Sequence, residues 1–108
     1  VVSPELRKLY AAMGLDENLQ RDPRMSVQPI RWIRVHRLPD HASFDHSVHV
    51  SAGVDCQRCH GPVQTMERVR QHETLTMGWC VNCHRQVNAE GVKGREVKAS
   101  NDCAACHY

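Results

Sequence analysis

The chain has 108 residues with one Phe, two Trp, two Tyr and six Cys, and a formal charge of +2. That length suits one domain and buries little core unaided, so a covalent or metal staple is expected. The charge is too small, and Lys and Arg too scattered, for a nucleic-acid partner, and no apolar run is long enough to span a bilayer.

The chain opens Val1-Val2-Ser3-Pro4, with no basic n-region or apolar h-region. It is therefore read as a mature form, as a chain whose anchor was removed, or as a fragment of a longer one. Ser3 is a good N-cap and Pro4 a good first helical residue. Leu6, Leu9, Tyr10 and Met13 form an apolar stripe that Gly14 ends, which predicts a short amphipathic helix packing on the rest of the chain. Pro23 and Pro29 bracket a loop. Residues 1–29 are taken as an N-terminal helix and linker, and residues 30–108 as the main domain.

Ile30 to Leu38 and Ala42 to Phe44 are expected to form a small hairpin across the Pro39-Asp40 turn. Gly61-Pro62 is expected to open a helix over Val63 to His72, where Met66 shares helical spacing with Val63. Short helices should follow the last two cysteine motifs, and Gly91 and Gly94, with Lys93, Arg95 and Lys98, read as a loop. The fold class is mostly α and irregular, with a small β-hairpin.

The cysteines carry the chemistry. They fall as Cys56-Gln57-Arg58-Cys59-His60, Cys80-Val81-Asn82-Cys83-His84 and Cys103-Ala104-Ala105-Cys106-His107. This is C-x-x-C-H three times, the c-type haem attachment signature. Two thiols about a helical turn apart reach the two vinyl groups of a porphyrin, and the next residue offers its imidazole to the iron. Zinc sites use C-x-x-C pairs with His at other offsets, and disulfides need no His. Three motifs that consume every cysteine therefore point to three covalently attached haem c groups, wrapped by the chain. Such attachment takes place outside the cytoplasm, so a periplasmic location is expected.

Three irons also need distal ligands. Eight His minus the three of the motifs leaves His36, His41, His46, His49 and His72. The best pair is Phe44-Asp45-His46-Ser47-Val48-His49: on one helical turn the two rings share a face, and on a bent segment they diverge toward two irons. His41, beside Pro39-Asp40, and His72, among charged neighbours, read as solvated side chains. The third distal ligand is either His36, on an extended segment with Trp32 and Arg34, or Met77, just before the second motif. Arg31, Arg34 and Arg37 are placed to neutralise haem propionates or to form a patch for a partner.

The F-x-H-x-x-H segment followed by C-x-x-C-H resembles the class III cytochromes c, above all the trihaem cytochrome c7 type. The resemblance implies that His46 pairs with His60 and His49 with His84. In that family the remaining distal ligand is a His shortly before the second motif; here that stretch holds Met77 instead. From about Ile30 to Tyr108 the chain is also similar to the C-terminal part of the pentahaem cytochrome subunit of alternative complex III. Trp32, Val35-His36-Arg37-Leu38-Pro39-Asp40, Phe44 to Val50 and Met77-Gly78-Trp79-Cys80 carry that similarity. It implies iron–sulfur partners in a quinol-oxidising membrane complex; a free-standing trihaem relative accounts equally for the motifs. Either way the expected function is electron transfer between redox partners rather than catalysis. The rival is a multihaem enzyme or gas sensor with one open iron.

Overall fold

A computed structural model describes residues 3–108. The chain forms two compact units, the first ending at Ile33 and the second running from Arg34 to Tyr108.

The first unit is built on helix α1, Pro4–Ala12. The Leu6 amide donates to Ser3 Oγ at 3.2 Å, satisfying one of the free donors of the first turn, and Pro4 adds no further one. The helix ends at Gly14, which is buried with φ +69° and lies against the Arg21 guanidinium. Arg21 Nη1 donates to the Gly14 carbonyl at 3.1 Å. The loop beyond folds back on itself. Asp16 accepts from the Asn18 and Gln20 amides at 2.8 and 2.9 Å, and the Gln28 amide returns to the Ala12 carbonyl at 2.9 Å.

The second unit is mostly irregular chain around three helices: α2, His46–Ser51; α3, Cys56–His60; and α4, Met77–Glu90. Asp45 caps α2 by accepting from the Ser47 amide at 2.8 Å. Thr76 caps α4 by accepting from the Trp79 amide at 3.3 Å. Gly91 closes α4 with φ +77° and ψ −176°, a conformation essentially reserved for glycine, and its amide donates to the Val87 carbonyl at 2.7 Å. Single 3-10 turns cover Val63–Thr65 and Cys103–Ala105.

The structure corrects two sequence expectations. No hairpin forms: residues 30–44 contain no strand, and the described residues hold only the isolated bridges Leu15–Arg21 and Val92–Arg95. The groups that would have made the ladder are engaged elsewhere. Arg34 donates to the carbonyls of His36 and Leu38, the Arg37 amide donates to Gln71 Oε1 at 3.1 Å, and the Ser43 amide donates to the Cys106 carbonyl at 2.7 Å. The helix expected over Val63 to His72 stops after one 3-10 turn, because Met66 turns extended at ψ 119°. The helix of the second motif is longer than expected, starting before the motif and running 14 residues.

Among the described residues no hydrophobic side chain is buried; only Gly14 and Gly61 are. Trp32 and Ile33 are 77 % and 88 % exposed. The polypeptide by itself encloses no apolar core. No helix among the described residues is long and apolar enough to cross a membrane.

Candidate functional site

The first motif occupies the whole of α3, and the second lies within α4. The third spans the 3-10 turn at Cys103–Ala105, capped by Asp102 accepting from the Ala104 amide at 3.1 Å. In each motif a helical turn brings the two cysteines to one side. All six thiols are free. The three motifs converge. Burial pushes the Cys59 thiol up, with the neighbouring Cys83 and Cys80 adding to it. Burial likewise raises Cys80, with Cys106 and Cys83 adding to it. Arg58 joins α3 to α4 by donating to Gln86 Oε1 at 2.8 Å, with its Nη2 3.9 Å from Cys83 Sγ.

The imidazoles pair across the unit. His46 lies parallel to His60, with ring centroids 6.3 Å apart and 6° between planes. His49 faces His84 at 6.2 Å. An iron bound by two imidazoles through bonds of about 2 Å separates their centroids by roughly 6 Å. Both pairs have that spacing. His46 and His49 share helix α2 yet face different motifs, so the divergence expected only of a bent segment occurs on a helical turn.

Each motif histidine also has its Nδ1 occupied, which leaves Nε2 for a metal. His84 Nδ1 donates to the Ser100 carbonyl, and His107 Nδ1 donates to the His41 carbonyl at 2.9 Å. His60 Nδ1 lies 3.0 Å from His36 Nε2. Burial, with His36 and His46 nearby, pushes His60 below the usual imidazole range, which favours the neutral ring that metals bind. His49 Nδ1 donates to the Asp45 carbonyl at 2.7 Å.

The remaining candidates fall in different places. His41 stacks on His107 with centroids 5.1 Å apart. Its main-chain carbonyl accepts from His107 Nδ1. Sequence reading passed over this role, since the contact spans 66 residues and no local pattern announces it. His72 is exposed, as expected of a solvated side chain, while one side of its ring lies against Gly61, next to the first motif histidine. Met77 opens α4 one turn before Cys80 and is 68 % exposed. Arg34 pairs with Asp40 at 3.7 Å and borders the cleft beside α3.

That cleft has a volume of about 400 Å³. Its walls carry Cys56, Cys59, His60 and His46 together with the apolar Phe44, Leu38, Val50 and Trp79. Trp79 is anchored by Nε1 donating to Glu73 Oε2 at 3.1 Å. A flat apolar ring system with two thioether attachments and two axial imidazoles fits this lining. A protein-only metal site does not: among the described residues, no three His, Cys, Asp or Glu side chains converge on one ion.

The family model described as "Cytochrome c7 and related cytochrome c" matches residues 42–108. The chain belongs to this family. It is a multihaem c-type cytochrome with covalently bound haem c, and its role is to carry electrons. A search of curated proteins finds no match.

Proposed function

We propose that this cytochrome binds three haem c groups and passes electrons between redox proteins in the periplasm or at the outer face of the cytoplasmic membrane. The observation that carries the reading is the pair of imidazole couples at 6.3 and 6.2 Å, each combining one residue of α2 with the histidine of a C-x-x-C-H motif. Cys56, Cys59, Cys80, Cys83, Cys103 and Cys106 are the attachment points. His60, His84 and His107 are the proximal ligands, and His46 and His49 the distal ligands of the first two groups. Met77 or His36 completes the third.

When bound, haem c supplies reversible one-electron exchange between ferric and ferrous iron. The chain supplies the rest. His46 and His60 would hold one iron, and His49 and His84 a second, which would leave neither with a position for substrate. The neighbouring cysteines of all three motifs tether the groups side by side. Residues 1–29 serve as an N-terminal helix and linker, and residues 30–108 as the haem domain. Similarity to the pentahaem subunit of alternative complex III supports iron–sulfur proteins of a quinol-oxidising membrane complex as partners.

His107 keeps a second reading in play. Among the described residues its one ring partner is His41, whose carbonyl takes Nδ1, and an iron left open at Nε2 would make this an enzyme or gas sensor.

The test is a pyridine haemochrome count, with spectra of the oxidised protein and of the reduced protein with and without carbon monoxide. Three haems per chain and no carbon monoxide shift are expected. A weak long-wavelength sulfur-to-iron band in the oxidised form assigns Met77. Fewer haems would sink the trihaem reading, and a carbon monoxide shift would replace the carrier with an enzyme or sensor.

A further inference from the structure

We infer that His36 is a positioning residue for His60, accepting the Nδ1 proton of that ligand, and is not itself an iron ligand. This rests on the reading that the first motif holds a haem.

The geometry separates the two roles. His36 Nε2 lies 3.0 Å from His60 Nδ1, with the rings edge-to-face and centroids 4.4 Å apart. The Nδ1 and Nε2 of an imidazole point to nearly opposite sides of the ring. A group on Nδ1 therefore cannot share the iron bound at Nε2. His46 stands from His60 at the 6.3 Å spacing that an iron requires, whereas His36 at 4.4 Å leaves no room for one. The Nε2 of His36 is engaged with His60 and so is not free for any other iron.

The tautomers follow. With Nε2 on iron, His60 carries its proton on Nδ1 and donates it. His36 accepts on Nε2 and carries its own proton on Nδ1.

The segment around His36 is fixed from both sides. Arg34 donates to the His36 carbonyl at 3.4 Å and to the Leu38 carbonyl at 3.2 Å. The next amide, Arg37, donates to Gln71 Oε1 at 3.1 Å. His36 is partly shielded and borders the cleft that also holds His46 and His60. The acceptor is thus held in place independently of the group in the cleft.

The other two motif histidines donate to backbone carbonyls, of Ser100 and His41. Only His60 donates to a side chain, so only its hydrogen bond can be altered without moving the main chain. An acceptor on Nδ1 makes the ligating imidazole a stronger donor to iron and favours the ferric state.

The experiment is a potentiometric titration of the haem-loaded protein, with electron paramagnetic resonance and carbon monoxide spectra, on wild type, His36→Leu and His36→Gln. In His36→Leu one midpoint should rise by about 59 mV, a tenfold change in a one-electron equilibrium and the lower end of what losing such a partner costs. All irons should stay low-spin and refuse carbon monoxide. His36→Gln, whose amide oxygen can accept, should return that midpoint toward wild type. A high-spin signal with carbon monoxide binding that appears in either variant and not in the wild type would show that His36 fills an axial position and would overturn the inference. So would unchanged midpoints in His36→Leu, which would reduce the contact to packing. If His36→Leu fails to take up haem, His36→Gln decides: low-spin irons with near-wild-type midpoints uphold the inference, and any high-spin iron not seen in the wild type overturns it. A peptide map of the wild type separates the two claims. Absence of haem from Cys56 and Cys59 would defeat the functional reading itself, whereas a loaded first motif that ignores His36 defeats only this inference.

Discussion

Gly61 follows the first motif histidine with φ +66° and ψ −154°, and the His72 ring covers the space a side chain would take. Both facts oppose substitution. Gly61→Ala should lower the stability of the haem-loaded protein by about 1–3 kcal/mol from backbone strain, before any displacement of His72 is added. Thermal unfolding followed in the Soret band measures it; an unchanged midpoint would show that the turn relaxes freely. At this scale the motifs were legible, because covalent attachment demands a fixed spacing of two cysteines and a histidine. The pairing of His46 with His60 was legible too, through resemblance to a family. The contacts of His36 and His41 were not. Each depends on a partner distant in sequence, 24 residues away for His36 and 66 for His41, and an isolated histidine in a sequence carries no sign of which nitrogen it will present.

Helix α4 carries the second motif and is held at both ends, by Thr76 at its start and Gly91 at its finish. Removing the start should be felt along the whole helix. Thr76→Ala should cost about 1 kcal/mol, the usual loss for an N-cap hydroxyl, while Thr76→Ser should cost far less. Chemical denaturation of the loaded protein compares the two; equal losses would show that the hydroxyl plays no part. Helix starts were readable where a cap and a proline stand together, as at Ser3 and Pro4. The segment from Ile30 to Leu38 misled because its composition suits a strand, while its polar groups found partners outside any ladder. Arg34 turned back on its own backbone, and Arg37 was taken by Gln71. The same limit applies after Pro62, where helical spacing of Val63 and Met66 did not outlast the first turn.

For the molecule as a whole, the decisive fact is that no described hydrophobic side chain is buried. Burial of apolar surface is the main force opposing chain entropy, at about 25 cal/mol per Å². The proposed haem faces must therefore provide the surface against which Phe44, Leu38 and Trp79 pack. Protein lacking haem, or carrying Cys→Ser changes within a motif, should lose fixed tertiary structure. Near-ultraviolet circular dichroism and amide shift dispersion measure this, and a compact, well-dispersed haem-free form would contradict it. Scarce aromatics and plentiful cysteines made that dependence readable from composition. The approach of the first two motifs was not, because Arg58 of α3 reaches Gln86 of α4 across 28 residues of chain.

The contacts between the segment before the first motif and the end of the third form a clasp. The Ser43 amide donates to the Cys106 carbonyl, and His107 donates to the carbonyl of His41. These contacts close the widest loop in the haem-binding unit, so loop entropy weighs more on them than on the contacts within each motif. The clasp is therefore expected to close late in folding, after the first two motifs have gathered around α2.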